Sequence, residues 1–253
     1  MKFSFIIPAY NEAGYIAATI DSILKETEGE QAEIIVVDNN SSDGTAELVK
    51  EKYKNIKVVK EKRKGTSFAR NRGANEASGE ILVFFDADIM VPAGWLEKVK
   101  EYLKTSFGVA ALGGPYQFSG FNSWQRFWEK AYYILGVMPH HWLLSKVLKI
   151  GAVLIGGNCI VKKTAFEKIR GFDEKFTFYG EDANLAKRLL KVGEVKFCLD
   201  LFVFSSPRRV MRPDRGILFN SWVGFIAALI YVLNYYSVII FNRPLMKRHK
   251  DFR

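Results

Sequence analysis

The sequence is poor in cysteine and has no internal repeat or low-complexity segment. Among 253 residues it has only Cys159 and Cys198, both in apolar runs typical of strands. This pattern indicates buried free thiols rather than a disulfide framework, and free thiols favour a reducing compartment. The first apolar run, residues 3–9, is short and leads directly into Asn11 and Glu12, so we expect no cleavable signal segment.

Positive charge is concentrated at the C-terminal end of the chain. The formal net charge is +10, and residues 206–253 carry nine Lys or Arg against two Asp. Between two basic clusters, residues 216–242 have no formal charge. Because no basic face with interleaved aromatic residues occurs elsewhere, we expect no nucleic-acid partner. Basic clusters that flank an apolar stretch instead indicate a membrane surface with anionic lipid.

Short apolar runs alternate with amphipathic segments through the first half of the chain. The predicted strands are 3–8, 33–37, 56–60, 81–85 and 109–112, and the predicted helices are 12–25, 43–53, 67–77 and 93–104. This order predicts an α/β fold with a mostly parallel sheet and helices on both faces. Later in the chain we expect a strand at 153–161 and helices at 163–169 and 183–190.

Side chains that could bind a ligand or take part in catalysis follow the predicted strands directly. Tyr10 and Glu12 follow the first strand, Asp38 the second, and Asp86 and Asp88 the fourth. Ligands of such sheets bind beyond the carboxyl ends of the strands, where these residues should meet. Paired carboxylates after an apolar strand need a compensating cation, and their oxygens suit Mg²⁺ or Mn²⁺. With an aromatic ring that can stack on a base, the pattern predicts a nucleotide-diphosphate site.

Other residues complete or weaken this interpretation. Basic side chains that could contact phosphates are Lys64, Arg70, Arg208 and Arg209. Gly157, next to Asn158, would let a ligand approach the backbone closely. Each residue also has an ordinary structural explanation. Asp38 could belong to a turn and helix cap, and Arg70 could be a charge on a helix surface.

Several segments resemble, in their order along the chain, the motifs of family 2 glycosyltransferases. These segments are residues 8–12, 36–45, Lys64-Gly65 with Arg70-Asn71 and Gly73, 86–88 and 180–182. The resemblance covers about residues 3–205, and the combination is far more specific than any single piece. It implies a GT-A fold, which is a Rossmann-like mixed sheet, and a nucleotide-sugar donor such as a UDP- or GDP-sugar. It also implies a divalent metal and inversion at the anomeric carbon.

The resemblance also implies roles for individual residues. Together with the charge argument, it assigns nucleotide binding to Pro8, Tyr10, Glu12, Asp38, Lys64, Arg70 and Asp86. Asp88 would bind the metal, with Asp86 as ribose or metal ligand, and Asp182 would be the catalytic base. We expect contacts with the donor or acceptor sugar from Gly157, Asn158 and Glu181. A sugar hydroxyl is a weak nucleophile, so a carboxylate must take its proton during attack. The alternative for Asp182 is a carboxylate stabilised by a helix N-terminus.

The late Gln-x-x-Arg-Trp motif of processive synthases is absent, and Ser206-Pro207-Arg208-Arg209 lies where it would be expected. This departure indicates transfer of a single sugar, for which we expect a lipid, lipid-linked or glycan acceptor. Two alternatives remain open. A sugar-nucleotide pyrophosphorylase would need a glycine-rich basic loop near residue 10, which is absent. A non-catalytic sugar- or lipid-binding protein could retain the fold alone.

The chain is expected to divide into a catalytic domain, residues 1–205, and a membrane-associating segment, residues 206–253. Within the first, residues 121–150 form an aromatic amphipathic insertion that could face the core or a membrane interface. Residues 217–241 are long enough to span a bilayer, but their polar residues and the basic tail favour lying on the surface. We therefore predict a monotopic protein on the cytoplasmic face of the membrane, with a single-pass arrangement as the alternative.

Overall fold

The computed structural model describes residues 1–176, 180–206 and 233–244. Among these residues the strands are β1 (Phe3–Ala9), β2 (Ala32–Asp38), β3 (Lys57–Lys60), β4 (Ile81–Phe85), β5 (Ile89–Met90), β6 (Val109–Gly113), β7 (Tyr116–Phe118), β8 (Asn158–Lys162), β9 (Glu194–Phe197) and β10 (Val203–Ser205). The α-helices are α1 (Ile16–Glu26), α2 (Thr45–Lys52), α3 (Thr66–Glu76), α4 (Trp95–Thr105), α5 (Ser123–Ala131), α6 (Met138–Trp142), α7 (Lys163–Lys168) and α8 (Glu181–Leu189). Wider π-helical turns, Tyr132–Val137 and Leu143–Val147, continue α5 and α6, and residues 233–241 are helical.

The main sheet has seven strands in the order β3-β2-β1-β4-β8-β6-β9. All neighbours are parallel except β8, which runs antiparallel to both β4 and β6. The mostly parallel sheet predicted from the sequence is therefore confirmed. The predicted strand 153–161 is partly wrong, because strand pairing begins only at Asn158 and the residues before it form a loop beside the site.

The apolar runs form strands because both faces of the sheet are covered by helices. In β1, Phe3, Phe5 and Ile7 pack with Trp95 of α4, whereas Ile6 packs on the opposite face with Leu185 of α8. A strand buried on both sides needs apolar residues at every position, as in parallel α/β sheets. This two-sided packing aligns the carboxyl ends of β1, β2 and β4 along one edge of the sheet.

A second, three-stranded sheet lies beside that edge. Its order is β5-β10-β7, with β10 antiparallel to β5 and parallel to β7. Each strand has only two or three residues, which is too short for a recognisable alternation in the sequence. β5 begins directly after Asp88, and β7 leads into the aromatic insertion. The small sheet therefore connects the end of β4 with that insertion.

The aromatic insertion packs its polar side, not its aromatic side, against the protein. Helix α5 begins at a capping box, in which the side chains of Asn122 and Gln125 bond each other's backbone N–H. Glu129 accepts from the backbone N–H of Phe118 at 2.9 Å, and Arg126 donates to the Phe118 carbonyl at 2.9 Å. The exposed large apolar side chains of the insertion include Trp124, Phe127, Trp128, Tyr132, Ile134, Leu135 and Trp142. The interpretation as a core-facing aromatic stripe is therefore wrong.

The helix over residues 233–241 packs against α8 and the loop before it. Val238 and Ile239 are buried in a cluster with Phe176 and Ala183, and the hydroxyl of Tyr235 donates to the Ala152 carbonyl at 2.9 Å. These described residues of the predicted membrane segment thus belong to the packed domain. Arg208 and Arg209, residues 217–232 and the end of the basic tail lie outside the described residues. Within the described chain, no helix combines the length and the apolar character that crossing a bilayer requires.

Candidate functional site

The loops after β1 and β2 are tied to each other by side chain to backbone hydrogen bonds. Asn11 has a φ of 55°, and its side-chain oxygen accepts from the backbone N–H of Ser42 at 2.8 Å. The backbone N–H of Glu12 donates to the Thr45 hydroxyl at 2.9 Å. These bonds keep the chain out of helical geometry, so α1 begins at Ile16 rather than at the predicted Glu12. They hold the predicted nucleotide-binding residues at the sheet edge.

Asp38 ends β2 with one oxygen already used by its own turn. Its Oδ1 accepts from the backbone N–H of Ser41 at 3.1 Å, and the residue is almost fully buried. The turn interpretation is thus correct for this oxygen. The neighbouring Asn39, which the sequence analysis missed, donates to the Glu61 carbonyl at 2.9 Å and accepts from the Gly65 backbone N–H at 2.9 Å. Asn39 therefore joins the predicted base-binding turn to the start of α3.

Two of the predicted nucleotide-binding residues lie against each other. The Lys64 ammonium is 5.5 Å from the centroid of the Tyr10 ring, and Lys64 is exposed. Pro8, in β1, pairs in register with Val37 of β2 and supports the loop that carries Tyr10. The structure therefore places an aromatic ring and a cation at the edge where a base and a phosphate are expected.

A buried arginine joins the two acidic segments of the site. Arg70 of α3 is 3% exposed; its Nη2 lies 3.2 Å from Asp86 Oδ1 and its Nη1 lies 3.4 Å from Glu181 Oε1. Its guanidinium also lies over the Phe172 ring, 5.4 Å from the centroid. The alternative of a helix-surface charge is wrong. Arg70 is also not the uncommitted phosphate cation that was expected, because two carboxylates hold it between the strand end and the start of α8.

The second oxygen of Asp86 is held by Tyr116 of β7. The Tyr116 hydroxyl donates to Asp86 Oδ2 at 3.0 Å, and the Tyr116 backbone N–H donates to the Tyr133 hydroxyl at 3.2 Å. Burial, followed by the charge of Asp86, raises the pKa of Tyr116 well above its usual value, so the phenol keeps its proton. Both carboxylate oxygens of Asp86 are therefore oriented by the protein. No motif in the sequence marks Tyr116.

Gly156 and Gly157 make room for these side chains. A Cβ on Gly157 would lie 2.1 Å from the Tyr116 hydroxyl and 2.5 Å from Asp86 Oδ2. A Cβ on Gly156 would lie 2.7 Å from Arg70 Nη1. The expected close approach at Gly157 is thus real, but the groups that approach are the protein's own side chains rather than a ligand.

Asn158 has a structural role, because it ties two segments of the backbone together. It is fully buried, and its Nδ2 donates to the Leu201 carbonyl at 2.7 Å and more weakly to the Pro115 carbonyl at 3.4 Å. A side chain enclosed between β8 and the loop before β10 has no surface for a sugar. The prediction that Asn158 contacts a sugar is therefore corrected to a tie between these two segments.

Asp182 lies in the first turn of α8, directly after Glu181. Burial raises the pKa of Asp182, while hydrogen bonds from the backbone N–H groups of Ala183 and Gly156 and the charge of Arg70 act in the opposite direction. Burial, followed by the charge of Asp182, raises the pKa of Glu181 to about 7. A carboxylate whose pKa is raised towards neutral pH accepts a proton more readily during a reaction.

The carboxylate pair after β4 fits a metal that arrives together with a diphosphate. Asp88 is 8% exposed, and its carbonyl accepts from the Ser206 backbone N–H at 3.2 Å. In the part of the chain that the structure describes, no group of three or more His, Cys, Asp or Glu side chains could hold a metal ion. Mg²⁺ in nucleotide sites is usually held by one or two carboxylates plus substrate phosphates.

Comparison with known protein families accounts for this arrangement. Residues 4–170 match the family model described as glycosyl transferase family 2, and residues 150–199 match one described as the N-terminal domain of galactosyltransferase. The chain belongs to glycosyltransferase family 2. A dolichol-phosphate mannosyltransferase from Pyrococcus furiosus is 35% identical over 175 residues, 67% of this chain and 43% of the relative. Glycosyltransferase AglE from Haloferax volcanii is 35% identical over 121 residues, 46% of this chain and 40% of the relative.

The chain therefore spans less than half the length of these two relatives. Among solved structures, the mannosyltransferase PcManGT from Pyrobaculum calidifontis, in complex with GDP-Man and Mn²⁺, matches with a TM-score of 0.67. That match covers 94% of this family 2 chain and 64% of the other chain at 22% identity. At this identity the likeness establishes the fold, and the predicted GT-A fold is confirmed.

Proposed function

We propose that this family 2 chain is a metal-dependent, inverting glycosyltransferase that moves one sugar from a UDP- or GDP-sugar to an acceptor hydroxyl. The observation that carries the proposal is the buried connection Asp86–Arg70–Glu181. It joins the end of β4, where a nucleotide diphosphate is expected, to the start of α8, which carries the expected base Asp182.

In the proposed reaction each carboxylate has its own task. Asp182 takes the proton of the acceptor hydroxyl as the oxygen attacks the anomeric carbon from the side opposite the diphosphate. Arg70 and Tyr116 hold Asp86 in one orientation towards the donor, and preorganised groups of this kind lower a barrier without rearranging. Asp88, with Asp86 beside it, would hold Mn²⁺ or Mg²⁺, which would stabilise the charge that develops on the leaving diphosphate.

Turnover of nucleotide sugars tests this proposal. The wild-type chain is incubated with a panel of UDP- and GDP-sugars and candidate acceptors, and release of the nucleoside diphosphate is measured with Mn²⁺, with Mg²⁺ and with EDTA. Asp182→Asn is the matched variant: it should bind donor normally but transfer sugar about 10²–10⁴ times more slowly. Normal transfer by Asp182→Asn would assign the base elsewhere. Donor binding with no turnover under any of the three conditions would favour the non-catalytic alternative, and equal turnover in EDTA would refute the metal dependence.

We further propose a lipid or lipid-linked acceptor and a position on the cytoplasmic face of the membrane. The support is the orientation of α5 and the turns after it. Trp124 and Leu135 are 67% and 77% exposed, while the opposite side of the helix binds β7 through Arg126 and Glu129. Aromatic and aliphatic side chains directed away from the protein, next to cations such as Lys130, suit a membrane interface.

Binding to lipid vesicles tests the membrane face. Trp124→Ser combined with Leu135→Ser removes two exposed apolar side chains and should release the protein from phosphatidylcholine vesicles in a sedimentation assay. Leu24→Ser, on the exposed side of α1, is the control and should bind as the wild type does. Equal vesicle binding by both variants would refute the assignment of this face.

A further inference from the structure

A cleft of about 760 Å³ lies at the edge of the sheet opposite the candidate site. Its walls are the end of the aromatic insertion, the end of α8, the start of β9 and the helix at 233–241. Because β9 runs parallel to β6 and β4, its start lies at the amino ends of these strands. At a rise of 1.5 Å per residue, the end of α8 lies about 10 Å along the helix from Asp182. The cleft is thus separate from the reacting groups.

The cleft combines positive charge with apolar walls. Its lining includes four lysines, Lys146, Lys149, Lys187 and Lys191, against one acidic residue, Glu194. Apolar side chains between them are Ile150, Leu190, Val195, Ile239 and Ile240. Such a lining disfavours a metal cation and fits an anionic group attached to an apolar chain.

Among the described residues, three of the four lysines have no acidic partner, and one of these three, Lys187, is held by a backbone carbonyl. Lys146 forms an ion pair with Glu194, and Lys187 donates to the Ile239 carbonyl at 2.5 Å. Among the described residues, neither Lys149 nor Lys191 forms an ion pair. The end of a helix already attracts cations, which explains a lysine or two at the end of α8. It does not explain Lys149, which comes from a different segment.

Lys149 has a backbone conformation that its side chain does not favour. Its φ is 52°, in the left-handed region, at the end of the helical segment that finishes at Val147. Glycine is the preferred residue at this position of a helix end, because any Cβ is strained there. A lysine at such a position costs stability, as residues at functional sites often do. This conformation brings an exposed cation to the mouth of the cleft.

We propose that the cleft binds the phosphate of an anionic phospholipid, with Lys149 and Lys191 as the groups that contact it. This inference rests on the proposed membrane face, because the insertion that carries that face also supplies one wall of the cleft. Ile150 on one wall and Ile240 on the other are exposed apolar side chains of the lining. The lipid would be a binding partner that anchors and orients the enzyme, distinct from the acceptor at Asp182.

Sedimentation with two kinds of vesicle tests the site. The full chain is mixed with phosphatidylcholine vesicles and with vesicles that also contain phosphatidylglycerol. The variant is Lys149→Gly with Lys191→Gln, in which the glycine relieves the backbone conformation, so weaker binding cannot be ascribed to unfolding. The charge-matched control is Lys50→Gln with Lys104→Gln, two exposed lysines on α2 and α4. Because one basic residue near an anionic membrane changes binding about fivefold, the cleft variant should bind phosphatidylglycerol vesicles about 25-fold more weakly.

The control should keep wild-type binding to both kinds of vesicle. An equal loss of vesicle binding in the control would show that net charge alone explains the effect, and it would overturn the proposed site. Binding of the wild type to both vesicles without preference for phosphatidylglycerol would overturn the site and leave the membrane face standing. Binding to neither would overturn both, whereas glycosyl transfer to a soluble acceptor would be unaffected in every case.

Chemical labelling distinguishes a lipid from a free phosphate. Acetylation of Lys149 and Lys191, read by mass spectrometry, should be slowed by phosphatidylglycerol vesicles and not by phosphatidylcholine vesicles. Glycerol phosphate in solution should give no protection. Protection by glycerol phosphate equal to that by the vesicles would identify a soluble phosphate as the ligand and overturn the lipid assignment.

Discussion

Replacing Arg70 by methionine should be among the most damaging single changes outside the apolar core. The substitution keeps the apolar stem of the side chain but removes the guanidinium group, which leaves Asp86 and Glu181 without their common cation. The side chains of these carboxylates are only 20% and 13% exposed. Removing one partner of a buried ion pair costs about 3–5 kcal/mol, because an uncompensated charge stays behind. We expect a loss of about 3 kcal/mol in the free energy of unfolding, since both carboxylates keep some contact with water.

Arg72 provides the matched control on the same helix. Its side chain is 43% exposed and pairs with Glu76 four residues later, at 2.9 Å. Surface pairs of this kind are worth about 0.3–0.5 kcal/mol, so Arg72→Met should be nearly neutral. Urea unfolding at neutral pH measures both variants. Equal losses for Arg70→Met and Arg72→Met would refute the reasoning that burial makes the Arg70 pairs valuable.

The effect of pH supplies a second test of the same reasoning. Burial and the charge of Asp182 raise the pKa of Glu181 to about 7, and the charge of Arg70 opposes this rise. Without Arg70 this pKa rises further, so the carboxyl ionises at greater cost at neutral pH. Protonation removes that cost as the pH falls below the raised pKa. The difference in unfolding free energy between Arg70→Met and the wild type should therefore shrink in acid, and a difference that stays constant would contradict the assignment.

Three further predictions concern the same site. Glu181 has a folded-state pKa of about 7, above its ordinary value of 4.5, so its ionisation costs stability as the pH rises through this interval. Glu181→Gln should therefore gain unfolding free energy relative to the wild type between these pH values, as measured by urea unfolding; a parallel pH dependence would contradict the raised pKa. Asp88→Asn should abolish turnover and metal-dependent donor binding, seen by calorimetry with and without Mn²⁺, while far-UV circular dichroism stays unchanged; full wild-type activity in EDTA would exclude the metal role. Gly157→Ala should displace Asp86 and weaken donor binding at least tenfold, whereas Gly136→Ala, whose added Cβ would have no neighbour closer than 3.8 Å, should not; equal donor affinities would show that Asp86 has room to move.

The sequence by itself determined the parallel half of the sheet and the position of most site residues along it. Continuous apolar runs such as Ile81–Phe85 are strands because two-sided burial demands apolar residues at every position. This requirement acts on neighbouring residues, so it can be recognised in the sequence alone. Strand ends in such a sheet share one edge, so Tyr10, Asp38 and Asp86 could be grouped before any contact was known. The order of the motifs along the chain predicted in addition that Asp88 and Asp182 belong to the same site.

Only the tertiary structure decided which side chains touch. In the sequence, Arg70 is indistinguishable from the other cations of the predicted helices. It is buried because the fold brings α8 and the end of β4 against α3. Tyr116 lies on a three-residue strand whose pairing depends on β10, far along the chain. The outward direction of the aromatic face depends likewise on Glu129 and Arg126, which find backbone partners on β7. Such contacts join segments distant in sequence, so no local periodicity encodes them; they follow from packing.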